Sequence, residues 1–305
     1  MKSITKLVSH NKLRTSYTFA FLFLCIPLGQ LSAMMLTKLI YGISSVEMLD
    51  ILGNPGTADN SQLLVLAFFN SLFSFILIPM AYLSMVNKAS ITELYPKNRI
   101  DVFAFLLSIL SIIAIAPFIS FVIKLNYSIE LPVWLSEFER NIKASDARSK
   151  EMTSALLALR TPTDLIAVIV VMAIVPGICE EVFFRGFLQI QLQNVLKNEH
   201  YAILFASGLF SLFHFQFYGF FPRLISGALL GYIFFWSKNI WYPIAVHIFN
   251  NLIALLLYNF SEENMKNSMN HWFVLIILAS FSVMITVWIL ISVRKKIYRT
   301  PQMDH

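Results

Sequence analysis

Charged side chains are scarce in this chain: only 13% of its 305 residues are Asp, Glu, Lys or Arg, against 57% hydrophobic ones that include 28 Phe. With a mean hydropathy of +0.70, there is more apolar surface than a water-soluble domain could bury around one core, so that class is excluded. Cysteine is nearly absent. Cys25 and Cys179 both lie in apolar runs and are too few for a disulfide framework. "LFLC", ending at Cys25, also lacks the small residues expected before a lipidated cysteine. No low-complexity tract or internal repeat is visible, and neither a GxSxG elbow nor an HExxH helix occurs.

What the chain does have is apolar length. About 20 apolar residues cross roughly 30 Å of hydrocarbon as a helix, at about 1.5 Å per residue. By that rule the sequence predicts an all-α, polytopic membrane helix bundle of about eight transmembrane helices, near 17–41, 62–86, 101–123, 164–192, 201–217, 223–236, 241–260 and 272–293. The run after Lys6, Lys12 and Arg14 continues to about Ile43, too long for the apolar region of a signal peptide, so an uncleaved first helix is expected.

Basic residues orient the bundle. Lys2, Lys6, Lys12 and Arg14 precede the first span, and Lys88, Lys97 and Arg99 follow the second. Lys197 and Lys238 flank later spans, and Arg294, Lys295, Lys296 and Arg299 end the last, whereas the short segments on the other side hold Arg223 and Lys266. Lys and Arg are retained on the cytoplasmic side, so both termini are expected there. The net charge of +6 is then a topology signal and gives no support to a nucleic-acid partner.

Between the third and fourth spans, Leu131, Trp134, Leu135 and Phe138 recur at helical spacing, which predicts an amphipathic helix resting on the outer interface. Three regions follow: 1–160, a three-helix membrane region with this outer segment; 161–260, the part with ionisable residues inside its spans; and 261–305, the last span with a basic cytoplasmic tail.

The ionisable residues point to chemistry. "VPGICEEVFFRG" places Glu180, Glu181 and Arg185 inside the fourth span, at a cost of about 2.5–3.5 kcal/mol per charge near a helix centre. Glu181 and Arg185 are four apart with the acid first, the favoured order for a helical ion pair. Glu180 points about 100° away and has no such local partner. Pro176 and Gly177 permit a kink or local unwinding just before the acids. A plain proline kink with its charges snorkelling to the cytoplasmic interface would explain this span taken alone.

Two further helices change that reading. His214 lies in "FSLFHF", and His247 and Asn251 lie one turn apart in "HIFNN". Glu180 and His214 are each 13 residues from the expected inner ends of their spans, so about 20 Å deep, while His247 and Asn251 sit roughly 9–15 Å in. A carboxylate beside a histidine in an apolar cavity can deprotonate water, and a second histidine with an asparagine can donate hydrogen bonds to the oxyanion that water creates at a carbonyl. That set suits amide hydrolysis inside the membrane. Cys179 lies on a different face from Glu180, which disfavours a thiol nucleophile. One Glu and two His also form a catalytic zinc shell, so the residues leave both mechanisms open.

"EEVFFRG", "FSLFH" and "HIFNN", in this order, resemble the three motifs of the CAAX protease and bacteriocin-processing (Abi, CPBP) family, whose members resemble the type II CAAX prenyl endopeptidase. The resemblance covers about a third of the chain, roughly 164–260. It implies an intramembrane endopeptidase in which Glu180 and His214 activate water and His247 and Asn251 hold the oxyanion, with Glu181 and Arg185 in support. It further implies a peptide or protein substrate and a lipid surround, here in a bacterial cytoplasmic membrane, without a required cofactor. The competing zinc-dependent description stays open, as does a non-catalytic bacteriocin-immunity or scaffold protein. A proton-coupled transporter is disfavoured because no inverted repeat is evident. Oligomeric state is not readable from these residues.

Overall fold

A computed structural model describes residues 12–87, 100–129, 132–158, 161–267 and 272–299, with side chains placed from Ala20 onward except at 86–87 and 259–267. Lys2, Lys6, Lys88, Lys97, Arg99 and Leu131 lie outside the described residues. Every regular element among the described residues is a helix. The chain divides into two compact units, Met1–Tyr95 with Ala147–Lys197, and Pro96–Asp146 with Asn198–His305.

The first unit begins with α1 (Lys12–Tyr41), followed by the short α2 (Ser45–Gly53) and by α3, which runs as Asn60–Leu72, a π stretch Phe73–Leu77, and Ile78–Asn87. Packing of α1 on α3 follows from a stripe of small residues every four positions. Cys25, Ala33 and Thr37 are buried, and at Gly29 a Cβ would stand 2.5 Å from the Ser74 Cα. Between apolar helices in lipid, such close approach replaces the hydrophobic drive that water would supply. The capping box of Ser44 and Glu47 starts α2: Glu47 N–H donates to Ser44 Oγ, and Ser44 N–H donates to the Glu47 carboxylate. Those bonds hold the exposed Glu47 carboxyl below its usual range.

The segment expected to be an interfacial amphipathic helix begins as a one-turn 3₁₀ helix, Val133–Leu135, and only then becomes α5 (Ser136–Leu156). Pro132 accepts a bond from Leu135 N–H, closing that turn, so Trp134 and Leu135 precede the helix instead of riding on it. Val133 and Trp134 are 89% and 80% exposed. At the far end of α5, the Asn60 side chain donates to the carbonyls of Ala155, Leu156 and Ala158, satisfying acceptors that the helix cannot pair itself.

Returning to the first unit, α6 spans Pro162–Leu196 without a break. At Pro176 and Gly177, where a kink or local unwinding is permitted, the helix is not interrupted. Instead α6 changes pitch into π stretches at Val170–Ile174 and Val182–Gln189, on either side of the α-helical Val175–Glu181. Val175 N–H donates to Val170 O, five residues back, which absorbs the missing N–H and the ring of Pro176 within a continuous helix.

The second unit contains α4 (Val102–Ser128), α7 (Glu199–Leu212), α8 (Phe220–Ser237), α9 (Trp241–Asn267) and α10 (Trp272–Arg299). Its core joins Ile112 and Ile115 of α4, Leu230 and Ile233 of α8, Val246 of α9 and Ile289 of α10. Pro117 interrupts the α4 ladder, and the Ser282 hydroxyl inserts there: it donates to Ala114 O and accepts from Phe118 N–H. Tyr242 Oη donates to Asp101 O, fastening the start of α4 to the start of α9.

Seven helices among the described residues are long and apolar enough to cross a membrane: α1, α3, α4, α6, α8, α9 and α10. Their outward faces carry residues such as Leu39, Phe273 and Trp288, all more than half exposed. Surfaces of that size and polarity are stable against lipid, and the chain is an integral, multi-pass membrane protein. The fifth expected span, 201–217, is the exception. Its helix, α7, has 14 residues and so covers about 21 Å, short of the roughly 30 Å of hydrocarbon. It stops because the His214 side chain, not a backbone N–H, takes the Phe210 carbonyl, and Phe215 then turns left-handed at φ 51°.

Candidate active site

In the first unit, α6 holds the acids. Glu181 and Arg185 form an ion pair with 2.8 Å between Oε1 and Nη1, and their side chains are 0% and 1% exposed. Four-residue spacing brings the groups together along one helix face, and the wall around them seals them. Val182 and Phe187 pack with Leu83 of α3, while Phe75 of α3 meets the rings of Phe183 and Phe184 at 5.4 and 5.8 Å. Glu180 is only half-buried. Its carboxylate also lies in the field of Arg185, more weakly than Glu181 does.

In the second unit, three other candidate residues line one cavity of about 90 Å³. His214 enters from the turn after α7, and His247 and Asn251 enter from α9. That volume is ample for several ordered waters. His214 Nδ1 lies 2.8 Å from Phe210 O. Because a carbonyl only accepts, Nδ1 carries the hydrogen and Nε2 is the nitrogen that can accept a proton. The Phe210 ring stands edge-on to both imidazoles, at 5.0 Å from His214 and 5.8 Å from His247. Phe210 is itself seated by Gly227 of α8, where a Cβ would meet Ser207 Cβ at 3.1 Å and Phe210 Cδ1 at 3.3 Å. Gly227 thus lets α8 approach the Phe210 ring that both histidines contact.

The cavity holds residues that sequence reasoning assigned elsewhere. Asn250 lines it beside Asn251, 3.5 Å away through Nδ2 and Oδ1. Arg223 also lines it, although its place in the sequence suggested an outer flanking charge. Its guanidinium donates through Nη2 to Gln216 Oε1 and sits over Gly219, whose missing Cβ makes room for it. An arginine nine residues after His214, inside an aromatic-rich run, was the available signal.

These residues provide one proton acceptor, two or more neutral donors and a cation around a small cavity. Of the ligands in the zinc reading, His214 and His247 line this cavity, while Glu180 belongs to the first unit.

Residues 162–253 match the family model described as type II CAAX prenyl endopeptidase Rce1-like. No curated protein and no solved structure matches the chain. The matched segment opens on the first residue of α6 and closes within α9, so it contains Glu180, Glu181, Arg185, His214, His247 and Asn251. Residues 162–253 are thus similar to the Rce1-like family of type II CAAX prenyl endopeptidases.

Proposed function

We propose that this protein is a glutamate-type intramembrane endopeptidase that hydrolyses a peptide bond in a membrane-associated peptide or protein. The observation that carries the reading is the cavity of the second unit, where His214, His247 and Asn251 meet within the same Rce1-like segment that supplies Glu180. In the proposed step, the Glu180 carboxylate takes a proton from water as the water oxygen bonds to the scissile carbonyl carbon. His214 Nε2 accepts the water's other hydrogen bond and orients it. His247 and Asn251 donate to the oxyanion, which then collapses as the carbon–nitrogen bond breaks and the leaving amine receives the proton. Glu181 and Arg185 hold the wall of α6 on which Glu180 stands.

The test compares membrane peptides from cells making the wild-type, Glu180→Ala and His214→Ala proteins at equal levels. Both variants are expected to lose every cleavage product that the wild type generates. Continued production in either would sink the mechanism. Metal analysis of active purified protein, with chelator treatment, addresses the zinc-dependent version: stoichiometric zinc whose removal abolishes cleavage would replace the metal-free step. Full complementation of a cellular phenotype by Glu180→Gln would instead favour a non-catalytic immunity or scaffold role.

A further inference from the structure

The motif residues account for the neutral donors and acceptors of the cavity, and they leave Arg223 without a role. Nothing in amide hydrolysis by Glu180 and His214 requires a guanidinium in the same space. Yet Arg223 is placed there by specific structure. It is the fourth residue of α8, its Nη2 donates to Gln216 Oε1, and its guanidinium occupies the volume that any side chain at 219 would fill. The remaining polar lining consists of imidazoles, amides and a hydroxyl: His214, His247, Asn250, Asn251 and Ser226. Arg223 is therefore the only permanently charged group among the described lining residues, and it is positive. A planar guanidinium presented beside neutral donors in a partly dehydrated cavity matches a carboxylate, which it can hold by charge-assisted hydrogen bonds.

We infer that Arg223 is a specificity-determining residue that binds a carboxylate of the peptide substrate, close in sequence to the bond that is cut. This rests on the peptidase reading given above. The carboxylate can be the C-terminal one or that of an Asp or Glu side chain; both present the same oxygens to Arg223. A peptide carrying such a group enters the cavity with its anion at Arg223 and its carbonyl toward His247 and Asn251. A peptide lacking it displaces water from the guanidinium without supplying an anion, so the penalty falls on binding.

The experiment uses full-length protein purified in detergent and three matched sets of N-acetylated octapeptides: C-terminal free acids, C-terminal amides, and C-terminal amides with one internal aspartate. Cleavage is read by mass spectrometry, and binding by the shift in the thermal unfolding midpoint. Wild type is expected to prefer at least one carboxylate-bearing set over the plain amides by about tenfold or more in kcat/KM, and which set wins identifies the source. Arg223→Gln should bring that ratio near one, chiefly through KM, and Arg223→Lys should retain an intermediate ratio. A merely structural role would lower all sets alike and leave the ratio unchanged, which would overturn the proposal, as would a wild-type ratio near one. If no set is cut, the peptidase reading fails on these peptides, and the binding arm still decides. A midpoint rise with acids, absent with amides and lost in Arg223→Gln, upholds carboxylate recognition; equal shifts refute it.

Discussion

Replacing Arg185 by Met tests whether the buried pair of α6 is a structural device or a part of the chemistry. At 2.8 Å and an effective dielectric of about 20, the attraction between Glu181 and Arg185 is about 6 kcal/mol, most of which is offset by taking both groups out of solvent. Removing Arg185 alone strands the Glu181 carboxylate, which is 0% exposed, and should cost about 3–5 kcal/mol of stability. Removing Glu181 alone leaves Arg185 only the weaker field of Glu180, so its penalty should be smaller. Replacing both, as Glu181→Leu with Arg185→Met, leaves no stranded charge at this pair and should recover most of the loss, so that the coupling approaches the sum of the two single penalties. Denaturation of the purified protein in detergent measures all four corners of the cycle. Additive single and double effects, with a coupling under about 0.5 kcal/mol, would refute the reasoning. Cleavage separates the second question. Because Glu180 also lies in the field of Arg185, the double variant should fold but cleave more slowly; wild-type cleavage would show that Arg185 acts only through Glu181.

Gly29→Ala should destabilise the first unit by about 1–3 kcal/mol, since the new Cβ meets the Ser74 backbone at 2.5 Å, and a wild-type unfolding midpoint would contradict that crossing. Gly227→Ala meets its neighbours at 3.1 and 3.3 Å, so its stability cost should be smaller. Its displacement of Phe210 should show mainly as a lower cleavage rate, and an unchanged rate would count against Phe210 as a support of both histidines. Glu47 is held below its usual range by its bond from Ser44 N–H, so its contribution is present above the unfolded carboxyl pKa and disappears as pH falls through the lower, folded one. The exchange protection factor at the start of α2, corrected for the intrinsic pH dependence, should therefore fall in acid for wild type and lose that fall in Glu47→Gln. Trp134 should contact lipid headgroups, so Trp134→Phe is expected to lose part of the tryptophan quenching produced by brominated lipids; identical quenching would place that turn away from the bilayer.

Much of the first layer of structure was readable because its causes are local. Apolar length alone marks the seven membrane-length helices, since lipid requires each one to satisfy its backbone internally. The pairing of Glu181 with Arg185 is likewise carried by four-residue spacing within one helix, whatever surrounds it. Residues that depend on contacts distant in sequence were harder to read. The early end of α7 comes from a side chain capturing the Phe210 carbonyl, and the survival of α6 through Pro176 comes from a change of helical pitch; hydropathy registers neither. Arg223 illustrates the difference most sharply. From the order of residues it was one more flanking charge, and its presence beside His214, His247 and Asn251 is decided by the turn after α7 and the entry into α8, which bring it back to a cavity whose other walls come from α4 and α9. Composition and spacing determined that this chain lives in a membrane and which residues could do chemistry there, because both follow from local physical cost. Only tertiary structure decided which of them share a space, because a cavity is made by segments that are distant along the chain.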